Sequence, residues 1–267
     1  SKKKKPLLVV LHSWGGNYLQ STDIPFAELA VKNDWLFLHP DFRGPNVGPE
    51  AAASELAVAD VLDAVEYMRR RAAVDDDRIY LTGYSGGGMM ALVLAGKHPE
   101  RWAGVVTWGG IFDIPDWFRH DRKDAHYDPQ IVAVCKGPPR PNTRAEAECR
   151  ARSPSAWLEA AAGKVPVLVA HGLNDDIVPV THALSIFEAL AAPEHRFDAS
   201  ERSRVLERDL AQVRGEKLAE REAFERAGAG LVLGRRSRLV TLALFRGGHD
   251  MLYNPTIAWL ADRQPRR

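Results

Sequence analysis

Only two cysteines occur in 267 residues. That is too few for a disulfide framework to replace a hydrophobic core, and no histidine or acidic pattern surrounds them at metal-ligand spacing. The chain also lacks an excess of charge, since 36 basic against 35 acidic residues leave a formal charge of +1. No global field recruits a nucleic acid or an anionic membrane, and neither is expected as a partner. No apolar run approaches the roughly 20 residues that span a bilayer, and Leu7 to Leu11 behind the lysines is too short for a signal peptide. The Lys2 to Lys5 cluster reads as a solvated terminus ahead of a first strand. No internal repeat or Gly/Ser linker marks a boundary, so a single domain over residues 1–267 is expected.

What is present is a 45% hydrophobic composition, enough for one large core, arranged with a clear alternation. Six short apolar runs, Leu7 to Leu11, Trp35 to Leu38, Arg78 to Leu81, Gly104 to Thr107, Val165 to Ala170 and Arg238 to Phe245, are separated by helical patterns. This predicts an α/β fold with a mostly parallel sheet of about six strands and helices on both faces. Glu50 to Ala73 carries Leu56, Val61, Leu62, Val65 and Met68 at helical spacing, with Arg69-Arg70-Arg71 in its last turn as the helix dipole favours.

Two stretches break the alternation. Residues 112–154, rich in proline and aromatics, follow the fourth run and read as a lid-like insertion over the strand ends, where α/β proteins bind ligands. Residues 196–236 form a second insertion, whose charged part from Ala199 to Arg226 reads as an amphipathic arm or a solvated helix. Both cysteines, Cys135 and Cys149, lie in the first. A bond between them would close a loop of about fifteen residues and contribute ~3 kcal/mol. The alternatives are a local staple and two plain thiols; the staple is the reading adopted, and with it a periplasmic or secreted protein whose leader is absent from this sequence.

The stretch that organises the rest is Arg78 to His98, RIYLTGYSGGGMMALVLAGKH. Its centre, Gly83-Tyr84-Ser85-Gly86-Gly87, fits G-x-S-x-G, the turn that presents a serine hydroxyl between a strand and a helix. Such a hydroxyl is a weak nucleophile and needs a base that is itself oriented by an acid. Among nine histidines, His249 in Arg246-Gly247-Gly248-His249-Asp250 lies just after the last strand, in position to return to the carboxyl edge of the sheet. His98 caps a helix end, His39, His120, His126, His182 and His195 have no motif around them, and His171 shapes its own loop. The acid should follow the fifth strand, where Asp175 and Asp176 are adjacent and only one can face His249. Asp250 is badly placed to reach the Nδ1 atom of its neighbour. Two donors must meet the oxyanion of a tetrahedral intermediate. Gly86 offers one backbone N–H at the start of a helix, and Trp14 in His12-Ser13-Trp14-Gly15-Gly16 is the choice for the other.

Taken together, the elbow, the HSWGG turn, the HGLNDDIVP loop and the GGHD loop resemble the α/β-hydrolase fold. In particular they resemble the catalytic domain of the prolyl oligopeptidase family and its stand-alone esterase relatives, from Leu7 to about Leu260. The resemblance implies Ser85 as nucleophile, Asp175 as acid in an HGxxDxxVP pattern and His249 as base, with Asp176 left as a turn residue. HSWGG departs from the family by carrying serine where glycine is frequent.

The function expected is a serine hydrolase that cleaves a carboxylic ester through an acyl-enzyme on Ser85, without metal or cofactor. The substrate expected is a small-molecule or carbohydrate-linked ester. Tyr84, Trp108, Phe112 and Trp117, with Phe118 and Trp14, are available to line its pocket or to stack on a ring. The rivals are a peptidase of the same mechanism and a non-catalytic binding protein on the same fold. Oligomeric state is not readable from these features.

Overall fold

The computed structural model describes residues 3–120 and 126–263. Lys2 of the lysine cluster and residues 121–125 of the first insertion lie outside the described residues. Seven strands form one sheet: β1 (Lys5–Leu11), β2 (Leu36–Leu38), β3 (Val74–Tyr84), β4 (Gly104–Trp108), β5 (Val167–Gly172), β6 (Leu231–Ser237) and β7 (Val240–Phe245). Their order is β2-β1-β3-β4-β5-β7-β6. All neighbours are parallel except β6, which runs antiparallel along β7. The expectation of about six strands omitted β6, because Gly234-Arg235-Arg236 interrupts its apolar run and it fell inside the charged second insertion.

Parallel strands covered on both faces should be apolar throughout. Leu7 to Leu11 of β1 are all buried, and their alternation divides the molecule into two cores. Leu7, Val9 and Leu11 face one core and Leu8 and Val10 the other. The helices are α1 (Ile24–Lys32), α2 (Glu55–Arg71), α3 (Gly86–Lys97), α4 (Ile114–Arg119), α5 (Asp128–Val134), α6 (Arg144–Ala151), α7 (Val180–Leu190), α8 (Ala199–Leu206), α9 (Arg221–Arg226) and α10 (Tyr253–Ala261). Buried side chains of α2, α3 and α7 fill the first core, and those of α1, α9 and α10 fill the second. Apolar all round, α3 is buried along its length except at Lys97. None of the described helices is long and apolar enough to cross a membrane.

The start of α2 shows how local chemistry sets a boundary. Ala52 and Ala53 take left-handed φ values of 47° and 56°, which no helix interior tolerates, so the expected start at Glu50 moves to Glu55. Ser54 then caps the helix by accepting the Ala57 N–H at 3.1 Å.

The first insertion contains α4, α5 and α6, with Cys135 bonded to Cys149 across the loop between α5 and α6. The second is no single amphipathic arm. Its polar spacing breaks it into the short helices α8 and α9, which bury Val205 and Phe224 in the two cores and add an ion cluster on β6. Glu201 and Arg235 are both buried, with Arg235 Nη2 donating to Glu201 Oε1 at 2.6 Å and Arg214 Nε to the same oxygen at 3.1 Å. Burial alone would raise the Glu201 carboxyl, but hydrogen bonds from Arg214 and Arg235 outweigh it and hold the group down at about 2.

Candidate active site

Parallel strands deliver their carboxyl ends, and the loops that follow, to one edge of the sheet. The elbow after β3 is the tightest of these. Ser85 sits at φ 57°, ψ −118°, a conformation that costs an L-residue about 1–3 kcal/mol and persists only where its surroundings enforce it. The enforcement is visible in the main chain: the Ser85 N–H donates to the Trp108 carbonyl at 2.8 Å, and the Ser85 carbonyl accepts from Met89 N–H at 3.0 Å. A Cβ placed on Gly83 would lie 2.3 Å from the Gly87 carbonyl carbon, so strand and helix can turn this sharply only without side chains there.

The base and acid expected from the sequence meet. His249 Nδ1 lies 2.7 Å from Asp175 Oδ2, and the other carboxylate oxygen accepts main-chain N–H groups from Ile177 at 2.9 Å and Val178 at 2.8 Å. Asp175 is buried whereas Asp176 is exposed, which separates the two adjacent acids. His171 adds a second imidazole to the acid. Its Nε2 lies 2.8 Å from the Val178 carbonyl and 3.2 Å from Asp175 Oδ2. Burial by itself would push the Asp175 carboxyl up; hydrogen bonds from His171 and His249 outweigh it and hold the group well below the usual carboxylate range. It is therefore an anion in the neutral range, and it accepts from His249 when that ring carries its proton on Nδ1.

The donor turn packs directly on the start of α3. A Cβ on Gly86 would lie 2.7 Å from both N and Cα of Trp14, so the two backbones touch. The Trp14 carbonyl accepts from Asn46 N–H at 2.8 Å, and Ser13 donates both N–H and Oγ–H to Gln20 Oε1, at 3.0 and 2.6 Å. The serine that departs from the family pattern is thus spent on bracing the turn. Beneath it, His12 is fully buried and stacks on Phe42, with centroids 3.9 Å apart and planes within 6°. Burial lowers its pKa and favours the neutral ring.

Two of the aromatic residues chosen for substrate contact, Trp108 and Trp117, need correction. Trp108 is 0% exposed; its Nε1 donates to Thr256 Oγ1 at 2.8 Å and its ring packs on Phe224 and Phe245 in the second core. Strand alternation sends its side chain below the sheet even though its carbonyl holds Ser85. Trp117, also 0% exposed, offers no stacking face: its Nε1 donates to the Ile177 carbonyl at 2.8 Å and its ring stands edge-on to Trp14, 5.1 Å between centroids. It braces the donor turn against the acid loop. Tyr84 spends its hydroxyl on the His249 carbonyl at 2.6 Å. Phe112 and Phe118 are half-buried against the first core, and the Phe112 N–H donates to His182 Nδ1 at 3.0 Å.

Two residues at the site were missed. Gly109, with φ 52°, passes so close to His249 that a Cβ on it would lie 3.0 Å from His249 Cε1 and 3.4 Å from Asp175 Oδ2. The Gly109-Gly110 pair directly after an apolar strand was the available signal. His182 is a buried acceptor at the entry to the first insertion, with its pKa pushed down to about 3 by burial and by the neighbouring His171 and His120. Nothing in its local sequence marks it.

Over 131 residues the chain is 28% identical to YtmA, an uncharacterized peptidase of Bacillus subtilis, covering 49% of this chain and 48% of that one. Over 118 residues it is 25% identical to feruloyl esterase B of Thermothelomyces thermophilus, covering 40% and 39%. It spans less than half the length of either relative. The solved acylaminoacyl peptidase of Pyrococcus horikoshii superposes with a TM-score of 0.61 at 15% identity, over 100% of this chain and 38% of that one, a likeness of fold. The profile of the prolyl oligopeptidase family matches residues 52–201, more than half of the chain and including Ser85 and Asp175. With that match and an α/β-hydrolase sheet beneath it, the chain belongs to the prolyl oligopeptidase family.

Proposed function

We propose that the protein is a serine hydrolase that cleaves a carboxylic ester by acyl transfer through Ser85. The observation that carries the reading is the 2.7 Å contact of His249 with the buried Asp175, at the sheet edge where Ser85 is held in its left-handed turn. His249 takes the proton from Ser85 Oγ as that oxygen attacks the carbonyl carbon, and the imidazolium so formed faces the Asp175 carboxylate. The N–H groups of Trp14 and Gly86 receive the oxyanion. His249 then returns the proton to the departing alkoxide, and a water repeats the sequence to release the acid.

An ester is favoured because the relatives include a feruloyl esterase, and a small-molecule or carbohydrate-linked ester is the substrate class proposed. The peptidase reading is supported by the family match and by the peptidases among the relatives. The oxidising compartment suggested by the sequence rests on the Cys135–Cys149 bond and is part of the same proposal.

The test is a panel of short acyl, acetylated-sugar and feruloylated esters set against aminoacyl and proline amides, run beside a fluorophosphonate probe. Ester turnover above amide turnover, with labelling lost in Ser85→Ala, supports the reading. Amide turnover above ester turnover replaces it with a peptidase, and a wild-type Ser85 that resists the probe ends it. Asp175→Asn should cost more turnover than Asp176→Asn; the reverse order would show that the wrong carboxylate is assigned.

A further inference from the structure

Tyr84 occupies the variable position of the G-x-S-x-G turn and is the last residue of β3, directly before the nucleophile. Its hydroxyl donates to the main-chain carbonyl of His249 at 2.6 Å, across 165 residues of sequence. Its ring lies against the imidazole, with centroids 4.7 Å apart and planes tilted by 42°. Among the described residues this is the one hydrogen bond to the His249 main chain.

The loop needs such a tie. His249 follows Gly247 and Gly248 and precedes α10 in a stretch without regular structure. Its nearest main-chain anchors are the Gly247 carbonyl, which accepts from Asn174 N–H at 2.9 Å, and the Gly248 N–H, which donates to Asp250 Oδ2 at 2.9 Å. Glycines pay the largest backbone entropy on ordering, so a loop built from them drifts unless something rigid holds it. β3 is rigid: Tyr84 sits in register with Trp108 on the neighbouring strand. The half-buried phenol is kept protonated by burial and by the Asp175 and Asp250 charges, so it remains a donor throughout the working pH range.

We propose that Tyr84 is a positioning residue for the base, its hydroxyl tying the His249 main chain to the strand that carries Ser85 and its ring flanking the imidazole. The inference rests on the reading of His249 as general base. In this role Tyr84 acts through His249, holding its main chain in place while Asp175 meets the ring. A tie of this kind is felt when the proton moves and not when substrate binds, so its loss falls on kcat with KM unchanged.

The experiment compares wild type, Tyr84→Phe, Tyr84→Ala and His249→Ala on p-nitrophenyl acetate, with turnover expressed per serine labelled by a fluorophosphonate at long incubation, so that unfolded protein is not counted. Tyr84→Phe keeps the ring and should lose kcat about tenfold, the worth of roughly one hydrogen bond, with KM within twofold. Tyr84→Ala should lose about a hundredfold. Wild-type kcat per labelled serine in Tyr84→Phe overturns the inference and leaves the hydrolase reading intact, as does a loss confined to KM. Full turnover in His249→Ala overturns both.

Discussion

Gly109→Ala should damage turnover far more than its size suggests. The glycine follows β4 at φ 52°, and the new Cβ would lie 3.0 Å from His249 Cε1 and 3.1 Å from Nδ1. Ordinary carbon contacts begin near 3.5 Å, so the imidazole must retreat by about 0.5 Å or the chain must bend. Misplacing a catalytic group by about 1 Å costs roughly a hundredfold, so half that displacement predicts about a tenfold fall in kcat. The left-handed backbone adds about 1–2 kcal/mol of strain for an alanine, which in a chain of this size lowers the melting midpoint by several degrees. The assay is steady-state ester hydrolysis at a temperature well below the midpoint, with the midpoint measured separately. A variant that melts lower yet turns over at the wild-type rate would refute the placement of His249 against Gly109.

Two further outcomes follow from buried titrating groups. His182 is neutral in the fold, with its pKa near 3, against about 6.5 when unfolded. The unfolded chain therefore binds the extra proton between those values, and stability should fall as pH drops from 6.5 toward 3, by up to about 1.4 kcal/mol per unit from this group. His182→Asn keeps an acceptor for the Phe112 N–H without titrating, so its melting midpoint should fall less between pH 6.5 and 4.5; parallel curves for the two proteins would remove His182 as the cause. Glu201→Gln leaves the buried Arg235 without its counter-charge and should cost about 3–5 kcal/mol, read as a drop of roughly 10 °C in a thermal melt. A drop under 2 °C would show that the ion cluster does not anchor the second insertion.

The parts of the fold and site that could be read in advance are those in which one residue type has one physical use. The elbow glycines, the continuous apolar strands and the histidine after the last strand are of this kind. Asp175 and Asp176 were adjacent in the sequence, and burial with two main-chain donors separates them. The aromatic side chains were misread because a tryptophan beside a strand end has no period long enough to show which face it takes. Trp108 goes below the sheet and Trp117 becomes a brace. β6 was hidden because an edge strand fastened by Arg235 to Glu201 carries its anchoring charge where a central strand would carry valine.

The pairing of β6 with β7 also bears on how the molecule assembles. Ser237 and Val240 are opposite each other beside a short turn, so this hairpin closes at small entropic cost. The contact of β7 with β5, Val167 against Val240, is remote in sequence and comes at a higher cost. His249 rides just beyond β7, so it comes within reach of Asp175 only when the hairpin docks on the sheet. Recovery of hydrolytic turnover during refolding is therefore a clock for that docking step, and it should lag behind any optical signal that reports the central strands alone.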